Sequence, residues 1–182
     1  MVDKLFGDFL VRYKEPEEPE NKPADEEGDN LDLEVEEVPP PYEFVPIAEA
    51  LRCTYVILYF TAEYMPPKCH EIVQPLTDLS VKSNEGSGTV KKFQVVVVNC
   101  DSKEAQYRAC LQKLPADWYA LPFGAEEATI RVEDMAQASN LPKITIVHPA
   151  RSLEEPAIKD IKALLVKGSV DEALLEINSK LN

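Results

Sequence analysis

The chain has 182 residues, of which 45% are hydrophobic, and 33 acidic residues outweigh 19 basic ones for a net charge of −14. This is a globular composition with room for one domain and an appendage. The negative balance argues against nucleic acid or an anionic membrane as the main partner, since both need a basic footprint. No apolar run approaches the ~20 residues that span a bilayer.

Met1–Asp8 has neither the basic and apolar regions of a secretory signal nor the Arg- and Ser-rich character of a transit peptide. Within it and beyond, Leu5–Arg12 suits a short strand or a turn of helix. Glu15–Glu37 then holds 12 acidic residues against one lysine, Lys22, and so accounts for −11 of the net charge. Residues 15–41, rich in Pro and Glu, cannot bury enough apolar surface to offset their ordering entropy and are expected to be disordered or extended. Leu31, Leu33, Val35 and Val38 punctuate the acidic residues, a pattern that also suits an added strand lying on a surface. The commoner reading of such a run is a solvated linker.

The globular pattern starts near Val45. Pro46–Leu51 reads as a short helix, and Thr54–Phe60 as a central strand buried on both faces. Pro66–Val81 is expected to be helical with prolines in its first turn, followed by a Gly/Ser loop over Ser83–Thr89. Phe93–Val98 predicts a second buried strand, Ser102–Lys113 a helix, Asp117–Phe123 a connecting loop, and Ala125–Ala138 a helix. Lys143–Val147 predicts a third strand. Asp160–Leu181 has helical periodicity broken at Gly168-Ser169, with Ser169 as an N-cap. Strands alternating with helices predict an α/β sheet.

Four cysteines, Cys53, Cys69, Cys100 and Cys110, form no Cys-x-x-Cys pair. Only Cys69 and His70 stand close together, and adjacent residues do not readily ligate one metal from a single helix. The expectation is therefore reduced thiols in an intracellular compartment, with no metal and no cofactor. A cytoplasmic location fits, as does a ciliary or mitochondrial complex.

Several segments resemble one family. Tyr59-Phe60-Thr61-Ala62-Glu63-Tyr64-Met65-Pro66-Pro67-Lys68-Cys69 resembles the tryparedoxin segment that ends in Trp-Cys-Pro-Pro-Cys. The run Phe93–Asp101 resembles that family's next strand and the acidic residue after it. Leu114–Phe123, with Trp118, resembles its Met-Pro-Trp-Leu-Ala-Val-Pro-Phe element, and Leu141-Pro142-Lys143 sits where the family has Ile-Pro-Thr with a cis proline. The resemblance to the tryparedoxin/nucleoredoxin family covers Leu5–Arg12 and Val45–Leu181. It implies a thioredoxin-like three-layer α/β/α sandwich around a central mixed sheet. On this reading residues 1–14 pack on the domain, 15–41 are an acidic insertion, and 42–182 form the thioredoxin-like domain.

The resemblance also locates the chemistry. Such enzymes hold a cysteine at a helix N-terminus, where the dipole and free N–H groups stabilise its thiolate, and a second cysteine resolves the mixed disulfide. Here Met65 stands at the first position, and a thioether cannot ionise. The second position is Lys68 without a gap, or Cys69 if Lys68 is a one-residue insertion. The degenerate site is thus Tyr64, Met65, Pro66, Pro67, Lys68 and Cys69, with no catalytic residue expected. Cys69 and Cys100 remain candidate redox thiols, although Cys69 also reads as a small buried helix residue. A bridge between them needs their Cα atoms within ~7 Å. Cys53 and Cys110 read as core. Pro142, Trp118 and Asp101 are assigned to the groove beside the turn, and Lys143 replaces the family's threonine there.

Three functions compete at this stage. The first is a redox-inactive module or subunit of a larger complex, its acidic insertion suited to a partner with a basic surface. The second is a monothiol oxidoreductase or redox sensor using Cys69. The third is a peptide-binding role through the groove around Pro142.

Overall fold

A computed structural model describes residues 3–14, 41–64, 67–150 and 155–181. At its centre, Cys53–Thr61 forms strand β3, whose apolar run leaves no polar face. Its neighbour Lys91–Asn99 forms β4, parallel to β3 from Cys53↔Lys91 to Thr61↔Asn99. On the other side Lys143–Val147 forms β6, antiparallel to β3. Because side chains alternate along a strand, Ile57, Tyr59, Phe93, Val95 and Val97 enter one core cluster, while Val56, Leu58, Phe60, Val96 and Val98 enter the other. Both faces must be covered, and both are.

Helices α3 (Val73–Asn84), α4 (Glu104–Leu111), α6 (Lys162–Lys167) and α7 (Val170–Leu181) pack on the first face. The second is covered by α1 (Asp3–Phe6), α2 (Ile47–Ala50) and α5 (Glu126–Ala136). The result is the expected three-layer α/β/α arrangement on a mixed sheet.

Among the described residues the sheet has six strands, where the sequence announces three, in the order β2 (Tyr42–Pro46), β1 (Phe9–Tyr13), β5 (Tyr119–Ala120), β4, β3, β6. Leu5–Arg12 supplies both options considered for it, since helix α1 is followed directly by β1 (Phe9–Tyr13). Strand β2 (Tyr42–Pro46) pairs antiparallel with β1, from Phe9↔Pro46 to Tyr13↔Tyr42. The connecting loop expected over Asp117–Phe123 contains the two-residue strand β5 (Tyr119–Ala120), which joins β4 in parallel and β1 antiparallel. Two residues carry no periodicity, so pairing on both sides, not local pattern, makes this a strand.

At the end of the β1–β2 hairpin, Lys14 N–H donates to Pro41 C=O at 3.0 Å. The acidic run therefore leaves and rejoins the sheet at one point. Residues 15–40, with the disorder and strand readings placed on them, lie outside the described residues.

Helix boundaries follow their chemistry. The helix expected from Pro66 instead begins with a 3-10 turn, His70–Ile72, before α3. The long final helix divides at Gly168-Ser169, as the break predicts. Ser169 Oγ accepts from Glu172 N–H at 3.3 Å and Glu172 Oε2 accepts from Ser169 N–H at 3.1 Å. This reciprocal pair is a capping box.

Candidate functional site

The turn leaving β3 is held from behind by a buried carboxylate. Asp101, just past β4, accepts from Glu63 N–H at 2.7 Å, from Tyr64 N–H at 3.4 Å and from Asn99 Nδ2 at 2.9 Å. Asn99 Oδ1 accepts from Asp101 N–H at 2.9 Å, which fixes the carboxylate in place. A carboxylate out of water is tolerated only when donors replace its hydration, and the three bonds to the Asp101 oxygens do this. Replacing Asp101 by alanine is expected to cost about 1–3 kcal/mol, since three part-buried N–H donors then lose their acceptor. A urea midpoint lowered at unchanged slope would show it.

Glu63 joins the turn to its surroundings. Its Oε1 is ion-paired with Lys113, and its buried Oε2 lies 3.5 Å from His70 Nε2. Lys113 and His70 thus each approach one oxygen of the same carboxylate. Tyr64 projects into solvent, 58% exposed, and the backbone tightens again where Glu71 N–H donates to Pro67 C=O at 3.0 Å. Met65 and Pro66 lie outside the described residues. Pro67 and Lys68 are exposed.

Cys69 is fully buried, at 0% exposure. Its carbonyl accepts from Tyr59 Oη at 2.5 Å, a bond made inside the core. Tyr59 is the residue that sequence reading passed over. Its signal was a phenol in the middle of an otherwise apolar strand, where a buried hydroxyl must find a partner. Burial pushes the Tyr59 phenol up from its ordinary value.

All four cysteines are free. Cys53 starts β3, and Cys110 lies buried on α4. Cys100 lies beyond β4, where its thiol donates to Val98 C=O at 3.7 Å and to Glu133 Oε1 at 3.5 Å. Burial pushes its pKa up to about 12, and the neighbouring Glu133 and Asp101 add to the rise. Desolvation likewise raises Cys53 and Cys110 to about 12.

These shifts bear on stability with a definite sign. In the unfolded chain the thiols titrate near 9, their ordinary value. Between about 9 and 12 the unfolded chain has therefore lost protons that the folded chain keeps. Stability from this source is complete below pH 9 and falls as pH rises, by at most about 1.4 kcal/mol per pH unit for each thiol. Urea midpoints measured from pH 7 to 11 should drop above pH 9, and an unchanged midpoint would contradict the burial of these thiols.

Of the residues assigned to the groove, Leu141–Pro142 is cis, the geometry that the resemblance implied. Pro142 is buried, and Lys143 donates from Nζ to Gln137 C=O at 2.8 Å. Trp118 is not a surface residue. It lies in the core with its ring edge-on to Tyr59, centroids 6.1 Å apart. Asp101 is drawn to the turn, whereas Trp118 supports it from within the sheet's packed face.

Residues 53–153 match the family model described as thioredoxin-like. The chain belongs to the thioredoxin-like family. Its curated relatives include nucleoredoxin of Xenopus laevis, 26% identical over 102 residues, and nucleoredoxin of Danio rerio, 28% identical over 98 residues. These alignments take in 56% and 54% of this chain but only 23% and 22% of the relatives' lengths. Among solved structures, native tryparedoxin I from Crithidia fasciculata superposes with a TM-score of 0.56 at 24% identity, covering 68% of this chain and 79% of that one. A thioredoxin from Wuchereria bancrofti gives 0.56 at 20% identity, covering 75% and 89%. This thioredoxin-like chain thus resembles nucleoredoxins in sequence and tryparedoxins in fold. Among its described residues, no helix is long and apolar enough to cross a membrane.

Proposed function

We propose that this thioredoxin-like chain is redox-inactive and acts as a protein-interaction module or a structural subunit of a larger complex. One observation carries the reading: the cysteine that follows the turn in the chain has no access to solvent. Met65 occupies the sequence position of the nucleophile, and Cys69, the nearest cysteine, is 0% exposed. A thiol without access cannot attack a disulfide, whatever its charge state. The acidic run of residues 15–37 suits a partner with a basic surface and disfavours nucleic acid. Four free cysteines fit a reducing, intracellular setting.

The monothiol alternative requires Cys69 to reach a substrate sulfur, and its burial weighs against that. Cys100 makes a poor second thiol, because its neutral form is favoured by burial and by Glu133. Insulin reduction driven by dithiothreitol tests the proposal. The chain is expected to leave the uncatalysed rate unchanged, and turnover above that rate would overturn it.

A further inference from the structure

All six phenylalanines of the chain are described, and they divide sharply. Phe6, Phe60 and Phe93 are buried, whereas Phe9, Phe44 and Phe123 are 48%, 58% and 38% exposed. The exposed three gather around one end of the sheet. Phe44 lies edge-on to Tyr42 at 5.9 Å, Tyr42 edge-on to Tyr107 at 5.9 Å, and Tyr107 meets Phe123 at 5.6 Å. A chain of ring contacts thus runs from the sheet's edge to the β5–α5 connection, exposed at Phe44 and Phe123 and passing through the buried Tyr107 between them.

That connection, turned by Gly124 at φ +79°, separates two adjoining clefts. One has a cavity volume of about 430 Å³ and is bounded by Asn99–Ser102, Tyr107 and α5. The other, about 540 Å³, lies between Phe6–Phe9, Phe44 and α5. They share Pro122, Gly124, Ala125 and Glu126. Exposed apolar side chains gathered around adjoining clefts mark interaction sites.

Charge selects the occupant. Asp101, Glu126 and Glu133 line the first cleft, and Asp8, Glu126 and Glu127 the second. Among the described residues lining either cleft, the one cation is Arg131, and it is paired with Glu127 at 3.6 Å. A second copy of a chain with net charge −14 would set carboxylates against carboxylates. Among the described residues, β2, which carries Phe44, is the outermost strand of the sheet, and an outermost strand can pair with extended backbone.

We propose that this face docks an extended segment of a partner protein that alternates apolar and basic side chains. The apolar side chains cover Phe9, Phe44 and Phe123, and the basic ones face Glu126, Glu127 and Glu133. The proposal rests on reading the chain as an interaction module and supplies that module with a surface and a partner chemistry.

The test is titration of the full ¹⁵N-labelled chain with a short synthetic peptide alternating leucine and lysine, with a leucine–glutamate peptide as control. The expected result is shifted amides at Phe9, Phe44 and Phe123–Ala125, salt-sensitive binding, and no response to the acidic peptide. Phe44→Ser with Phe123→Ser should weaken binding about tenfold or more, as loss of aromatic anchors does. If that pair disturbs the spectrum's dispersion, Glu126→Gln with Glu133→Gln should weaken binding on an intact fold. Shifts confined to Tyr64 and Leu141, or to residues 15–37, would overturn this surface while leaving the interaction-module reading standing. Equal binding of the acidic peptide, self-association at these amides, or no binding at all would overturn it as well. Failure of the interaction-module reading itself is seen separately, in the insulin assay.

Discussion

Iodoacetamide at pH 7.5 is expected to leave all four cysteines of the folded chain essentially unmodified over a period in which urea-unfolded chain takes four adducts. The reasoning has two parts. Alkylation proceeds through the thiolate. For Cys53, Cys100 and Cys110 the pKa is pushed from an ordinary 9 to about 12. Three units remove roughly 10³-fold of the thiolate present at neutral pH. Cys69 is protected differently, because its fully buried position leaves no approach for the reagent. Intact-mass spectrometry against time reads both effects at once. Rapid, selective modification of Cys69 would restore the monothiol reading.

The second large effect lies in the core. Phe60→Ala is expected to destabilise the domain by about 3–5 kcal/mol, the range for truncating a buried aromatic. Phe60 is fully buried in the cluster that unites β3 and β4 with α1, α2 and α5. Domains of this size hold only about 5–15 kcal/mol in total, so the variant should unfold at much lower urea. Phe44→Ser, on the exposed edge, should change stability by under about 0.5 kcal/mol. A variant pair that behaved alike would contradict the division of the phenylalanines into core and surface.

The strongest parts of the fold were legible because burial on both faces leaves a continuous apolar signature. Thr54–Phe60 and Phe93–Val98 announced β3 and β4 within two residues, and Lys143–Val147 matched β6. Strand β2 was missed because Tyr42-Glu43-Phe44-Val45-Pro46 is an edge strand with an exposed phenylalanine and a proline, so no burial pattern marks it. Strand β5 was missed because two residues cannot show a period.

The site divides in the same way. A sequence motif could point to Tyr64–Cys69 and to Asp101, because order along the chain is what a motif records. The bond from Tyr59 to the Cys69 carbonyl, and the approach of Lys113 and His70 to the Glu63 carboxylate, arise from three-dimensional packing across separate elements. Trp118, assigned by resemblance to the groove, packs in the core next to the short β5 and edge-on to Tyr59, a contact that order along the chain does not record.

The bond between Lys14 and Pro41 has a consequence for how such a chain can change. Whatever path residues 15–40 take, the fold registers them as one closure between two fixed ends. The entropy of closing a segment grows only with the logarithm of its length, so doubling or halving it changes stability by about 0.6 kcal/mol. The 26 residues between those ends carry −11 of the chain's charge. Charge at this edge can therefore be lengthened, trimmed or rewritten almost independently of the sheet, and the hairpin acts as a socket whose insert is free to diverge.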